Sequence, residues 1–349
     1  MSRARRVTVW GAVAAGALAL LASVAVCVAI GPVHVPVPTV LEVIGRRARL
    51  YGGPVSVLDD QIVWELRLPR VAASAAAGAG LAVAGAVLQS LTRNALADPY
   101  ILGISGGGTA GAVTVIVLGV PLAGLAGPAV VTAAAFAGAI AALLAVLALA
   151  SGRSGALTTT RTVLAGVAVG QLCAAYTAFL VIVKGDTDAA RRVLAWTLGS
   201  LAGARWGSAA TLTAAAAVAL VVVTAAARWL DALAFGETTA RSLGVPVTTV
   251  RWALMAGTSL LTAVIVAITG SIGFVGLVVP HVVRLVFGPL HRTLVPLSAL
   301  GGAVLLVWAD TLARTVVTDQ ELPIGVVTAA VGAPVFAFLL RRSARRETT

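Results

Sequence analysis

Apolar runs of about 20 residues recur along this chain, and each is long enough to cross a hydrocarbon core of about 30 Å as a helix. In lipid every backbone polar group must be bonded within the chain, so runs of this length can settle only as helices. Candidate spans fall at 7–30, 70–91, 101–119, 128–150, 162–183, 207–229, 252–270, 272–287, 294–312 and 323–340. The third and eighth are short and interrupted by glycine. The first follows Arg3, Arg5 and Arg6 and outlasts the roughly 7–15 apolar residues of a signal peptide, so it reads as a retained span. The expected fold is all-α: a polytopic membrane protein with about ten transmembrane helices in one bundle, a single domain over 1–349.

Composition narrows the function classes. Hydrophobic residues make up 59% and charged residues 11%, against about a quarter charged in soluble chains, and mean hydropathy is +1.02. A soluble enzyme, a disordered chain and a secreted disulfide scaffold are excluded. The net charge of +12 rests on arginine, since Lys184 is the sole lysine. These arginines are scattered over loops and span ends with no basic face bearing aromatics, which fits lipid headgroups and topology rather than nucleic acid. Cys27 and Cys173 lie in apolar runs, and His34, His281 and His291 lack ligand spacing, so no metal site is expected.

Ten spans place both termini on one side. If that side is cytoplasmic, fifteen basic residues lie inside and ten outside, the direction of the positive-inside rule. Arg46, Arg47, Arg49, Arg67 and Arg70 run against it. The longest polar stretches are 31–69, 184–206 and 230–251, the last expected in the cytoplasm.

Several chemistries are missing. A P-loop needs Gly-Lys followed by Ser or Thr, and Lys184 is followed by Gly185. ATP must therefore be hydrolysed by another polypeptide, and no enzyme activity is expected of this one. Ion-coupled carriers place acids at mid-membrane, whereas all thirteen acids here fall in loops or near span ends. No paired aspartates, Ser/His dyad or His-Glu-x-x-His is apparent for an intramembrane protease. Ser105 in Gly103-Ile104-Ser105-Gly106-Gly107 fits a nucleophile-elbow pattern literally, but its flanks read as membrane helices rather than strand and helix.

Five segments remain: Arg67-Leu68-Pro69-Arg70; GAVLQSLTRNALADP at 85–99 with LGISGG at 102–107; GETTARSLGV at 236–245; GSIGFVGLVVPH at 270–281; and ADTLAR at 309–314 with ELPIGVVT at 321–328 and GAP at 332–334. In order and spacing they resemble the FecCD-type permeases, ten-span subunits of ABC importers for ferric siderophores, haem and cobalamin. One departure is Ala95, where the family usually has proline.

The resemblance implies a permease subunit of a binding-protein-dependent importer in the bacterial cell membrane, both termini cytoplasmic. Its partners would be a second permease subunit, two ABC ATPase subunits and an external substrate-binding protein, with no cofactor. It implies that Arg67, Arg70 and Arg314 meet acids of the binding protein. Coupling to the ATPase would fall to Leu233, Gly236, Glu237, Ala240, Arg241, Leu243 and Gly244, with Leu233, Leu243 and Val245 filling the ATPase groove. Glu237 and Arg241 are spaced i,i+4 for helix pairing. Asn94, Leu96, Thr158 and Thr159 align with an inner gate. The glycine runs 103–111 and 270–276 read as close-packing sites and, as broken helices, as pathway lining. The segment 190–200 looks closer to siderophore members, so a ferric siderophore is the expected cargo, with cobalamin or haem the alternative. An ion-coupled secondary carrier is the rival from another class.

Overall fold

The computed structural model describes residues 3–119, 127–151, 159–317 and 320–347. Helix α1 (Arg3–Ala29) is followed by α2 (Val37–Arg47) and α3 (Val57–Asp60). A π-helical stretch, Gln61–Arg67, joins α3 without a break to α4 (Leu68–Thr92). A 3-10 turn (Pro99–Leu102) precedes α5 (Ile104–Leu118), then come α6 (Pro128–Ser151), α7 (Thr159–Lys184), α8 (Thr187–Thr197) and α9 (Trp206–Ala225). The remainder is α10 (Ala227–Ala234), α11 (Glu237–Ser242), α12 (Val247–Thr269), α13 (Val275–Phe287), α14 (His291–Ala313) and α15 (Ile324–Glu347). No strand occurs among the described residues.

Seven of the described helices are long and apolar enough to cross a bilayer, and three shorter apolar helices, Ile104–Leu118, Val275–Phe287 and Ile324–Leu339, bring the apolar set to the expected ten. The first two of these contain 15 and 13 residues. At 1.5 Å per residue they reach only about 20–22 Å, so neither spans 30 Å alone. The expected span 207–229 is shorter in the structure. The helix stops at Ala225, and Arg228 and Asp231 fall on the separate α10, whose Leu230 and Leu233 turn inward. The polar residues at 228 and 231 favour an interfacial helix over two more turns in lipid.

Helix α4 is the axis of the bundle. It is buried on nearly all sides because Ala73, Ala76, Ala77, Gly78, Ala82 and Gly85 let neighbours approach from every direction. A Cβ at Gly78 would lie 2.1 Å from the Gly302 carbonyl oxygen of α14, and one at Gly85 would lie 1.9 Å from that of Gly276 in α13. Peripheral helices instead turn apolar side chains outward, as Leu164, Leu172 and Ile182 of α7 do. Such faces need lipid or another apolar surface.

Hydrogen bonds define two opposite ends. At one end, called here the arginine end, Arg67 reaches the end of α1, Trp206 donates to the Trp64 carbonyl, and Ser200 N–H donates to Thr269 O. At the other, the coupling end, lie the close of α4, α10, α11 and the starts of α12 and α14. Between them the two glycine-rich breaks meet. The Tyr100 hydroxyl donates to Ile272 O and accepts from Ile272 N–H, both at 2.9 Å, and the Ser105 and Ser271 hydroxyls lie 2.5 Å apart. Irregular backbone at depth in a membrane protein must find such internal partners. Gly107 packs on Gly138, Gly111 on Ala134, and Gly276 against Leu81 near the middle of α4.

Candidate functional site

At the coupling end, two glycines shape the chain between α10 and α12. Gly236 (φ 106°) and Gly244 (φ 77°) occupy backbone regions that disfavour any side chain. They bracket α11, whose first residue Glu237 faces Arg251 at 2.7 Å and Arg241 at 3.6 Å. The expected i,i+4 partner is thus the longer contact, and Arg251, on α12, is the closer one. The hydrogen bond from Arg251 holds the Glu237 carboxyl below the usual carboxylate range, with Arg241 and Arg93 adding to the effect. Ala240 is fully buried, so α11 is seated on the bundle as a unit.

The structure corrects part of the coupling set. Leu233 and Val245 lie inside the apolar cluster that also holds Leu88 and Leu91 of α4, so they cannot enter a partner's groove. α10 presents Leu230 and Leu233, three residues apart, to the bundle. Exposed instead are Phe235 (77%) and Leu243 (67%), with Arg241 and Gly244 beside them. Phe235 carried no sequence signal beyond its type.

A second tie at this end was illegible in the sequence. Asp231 of α10 accepts hydrogen bonds from the His291 backbone N–H at 2.9 Å and from His291 Nδ1 at 2.6 Å. It therefore caps the N-terminus of α14, where unpaired N–H groups and the helix dipole favour an acid. Nε2 of His291 meets the Ser90 hydroxyl on α4. Ser, His and Asp are connected here as in an acyl-transfer triad, the dyad that the sequence reading did not find. Ser90 and His291 are both buried, however, and Ser90 also bonds the Ala86 carbonyl of its own helix. The connection ties three helices together.

Of the expected gate, Asn94 and Leu96 are exposed in the turn after α4, where Asn94 Oδ1 accepts from Leu96 N–H at 2.9 Å. Thr158 lies outside the described residues, as does the side chain of Thr159, whose backbone opens α7. A cavity of about 90 Å³ beneath the turn is lined by Asn94, Asp98, Thr162 of α7 and Met255, so the starts of α7 and of the turn do face one space. Burial pushes the Asp98 carboxyl up to about 6, against the opposing pull of the Tyr100 N–H that it caps.

At the arginine end, the three arginines expected to be external are inside the protein. Arg67, Arg70 and Arg314 are 6%, 9% and 6% exposed. Arg67 Nη1 donates to Val28 O and Ala29 O, both at 2.9 Å, and Nη2 to Val33 O, while Arg314 Nη2 donates to Cys27 O. Together they satisfy the last carbonyls of α1, groups that no helix can bond for itself. Arg70 binds Asp310 of α14 through Nε and Nη2 at 3.0–3.1 Å and Glu321 through Nη1 at 3.0 Å. The physical reason for the correction is desolvation: cations at this depth need acceptors, and the chain supplies them. Arg47, one of the bases placed against the topological bias, likewise pairs with Asp60 and stacks 5.4 Å from the Trp64 ring.

Comparison with known proteins agrees with this architecture. Residues 13–342 match the model of the FecCD transport family. The cobalamin import system permease protein BtuC of Halobacterium salinarum is 45% identical over 80% of this chain and 73% of its own length. The vitamin B12 import system permease protein BtuC of Vibrio cholerae is 44% identical over 82% and 85%. An uncharacterized ABC transporter permease protein of Bacillus subtilis, YvrB, is 37% identical over 93% and 92%. A metal-chelate type ABC transporter solved in an inward-facing conformation superposes with a TM-score of 0.81 at 26% identity, covering 95% of this chain and 98% of that one. With ten apolar helices among its described residues, its paired helix breaks and its match over residues 13–342, this chain belongs to the FecCD transport family of ABC importer permeases.

Proposed function

We propose that the chain is the membrane permease of a binding-protein-dependent importer whose cargo is cobalamin. The observation that carries the cargo is the identity of 45% and 44% to two permeases named for cobalamin and vitamin B12 import. A ferric siderophore is the second reading, favoured by the segment Ala190–Ser200, which forms most of α8 and its exit. Two ATPase subunits dock at the coupling end, on Phe235, Arg241, Leu243 and Gly244, with Glu237 and Arg251 holding α11 against the bundle. That end and both termini lie in the cytoplasm. A second permease copy or homologue covers the apolar outer faces of α7 and α15, where Leu172 is 70% and Phe338 is 62% exposed. The binding protein meets the opposite end. Because Arg67, Arg70 and Arg314 are consumed internally, its contacts fall to outward bases such as Arg46 in the last turn of α2, Arg49 just after it, and Arg191 and Arg192 on α8.

The test is uptake into vesicles that contain this permease with its ATPase and binding protein. Radiolabelled cobalamin should accumulate only with ATP. Accumulation of labelled ferric siderophore in its place would transfer the assignment to the second reading, and uptake without ATP that collapses with an uncoupler would refute both.

A further inference from the structure

Two apolar cavities run along the outer side of the bundle, the first between α6, α9 and α12 and the second between α9 and α12. The first, near the arginine end, has a volume of about 660 Å³ and is lined by Ala133, Phe136, Ala204, Ser208, Thr211 and Ile268, among others. The second, of about 390 Å³, continues toward the coupling end along Ala215, Ala219, Val222, Leu254, Gly257 and Leu261. Val264 lines both, so they form one groove. From Ser208 to Val223 it follows about 22 Å of α9 at 1.5 Å per residue, most of the depth of a hydrocarbon core.

Most hydroxyls in its wall are already engaged within the chain, Thr258 Oγ1 by donating to Leu254 O. Ser208 Oγ donates to Arg205 O and accepts from Arg205 N–H, Thr211 Oγ1 donates to Gly207 O, and Ser200 Oγ accepts from Ala202 N–H. Walls this apolar suit hydrocarbon. Its mouth differs. Arg205 is exposed beside the wall residue Ala204, whose carbonyl its Nη1 holds at 3.2 Å, and no ion pair to a described carboxylate engages it. Trp206, the next residue, pairs with Trp64 away from the groove, rings 4.9 Å apart, and tryptophans of this kind mark the headgroup level. The guanidinium therefore sits where lipid phosphate lies, above a groove fit for an acyl chain.

We propose that this groove is a binding site for one membrane phospholipid, with an acyl chain between α6, α9 and α12 and the phosphate on Arg205. Charge selects this occupant over a second copy of the chain. A copy docked here about an axis along the membrane normal would bring its own Arg205 to the same level and set like charges together.

Two glycines give a clean test. A Cβ at Gly203 or Gly257 meets nothing within 4 Å, so Gly203→Phe and Gly257→Phe can fill the groove without displacing backbone. The purified full-length permease in detergent is titrated with phosphatidylglycerol, and adducts are counted by native mass spectrometry. One adduct per chain is expected for the parent, weakened about tenfold or more in each filled variant through lost methylene burial. Arg205→Gln should weaken it about three- to tenfold and flatten its salt dependence. Unchanged binding in both filled variants would overturn the proposal, as would a filled variant that loses a protomer contact rather than lipid. A second measurement does not depend on variants. Phosphatidylglycerol carrying a photoreactive group in its acyl chain should label residues 200–223 and 253–268 of the unmodified protein, and labelling spread evenly over α1 and α7 would refute the site.

Discussion

Arg70 shows how strongly one residue can be committed to the interior. Its guanidinium satisfies Asp310, itself 1% exposed, and reaches on to Glu321, linking α4, α14 and the approach to α15. Truncating one member of such a pair leaves a buried charge without a partner, at a cost of about 3–5 kcal/mol. Arg70→Ala should lower the free energy of unfolding in mixed micelles by about that much. Adding Asp310→Ala should recover part of the loss, whereas a docking role would predict normal stability and impaired binding-protein association. Asp98 provides a pH prediction. Its folded pKa, about 6, is raised above the unfolded value near 3.8, so the folded state holds the proton more tightly. The Asp98 contribution to stability is then greatest below pH 4, declines as pH rises to about 6, and stays down above it, by about 3 kcal/mol at most. Asp98→Asn, which retains the cap on Tyr100, should raise the melting temperature at pH 7.5 and leave it unchanged at pH 4. Equal gains at both values would mean that desolvation of the charge is not the cause.

At the scale of the element, α11 is seated by Ala240 and braced by Glu237 against Arg251. Gly244→Pro should let the protein insert and fold yet lose ATPase association, because proline cannot adopt φ 77°. Co-purification with the ATPase measures this directly, and full association would place the docking surface elsewhere. Glu237→Gln should weaken coupling more gently, since its pair is partly exposed. The Glu237 pKa is depressed, so its contribution is present at neutral pH and fades only as pH falls through the acid range. Helix α10 depends on another contact. Asp231→Ala removes the cap of α14, a change worth about 1 kcal/mol at an ordinary cap, and frees the His291 ring. Uncoupled ATP hydrolysis in the assembled transporter, with little loss of folding, is the expected sign.

For the molecule as a whole, the decisive fact is that two helices are too short to span the membrane alone. α5 and α13 each reach only part of the way, and the backbone that completes the crossing is held at depth by Tyr100 and Ile272. Tyr100→Phe leaves the Ile272 N–H and C=O without that hydroxyl and should destabilise the fold by about 1–3 kcal/mol. A melt indistinguishable from the parent would show that the breaks are held together by the glycine contacts. Orientation is open to a direct check. Arg191→Cys and Arg241→Cys, made with Cys173→Ser, lie on exposed helices at opposite ends. An impermeant thiol reagent should reach the first from outside cells and the second only after lysis, and the reverse pattern would invert the topology.

The repeat of apolar runs determined the class, an all-helical protein with several membrane-length helices, because a bilayer fixes how long a buried helix must be. The five motifs determined the family, and Gly236 and Gly244, named there for coupling, bracket α11 at dihedrals that few other residues tolerate. Side-chain partnership was not legible. Arg67, Arg70 and Arg314 looked external since they end spans, yet Arg70 meets Asp310 across 240 residues and Arg314 reaches Cys27 across 287. Leu233 looked free for a partner, but α10 rolls it inward. Asp231, His291 and Ser90 come together from three helices with no spacing to announce them. Sequence determines what each helix can bear in lipid; which side chains spend their charge inside the bundle is decided only when the helices meet, because desolvation is settled by neighbours that lie hundreds of residues away.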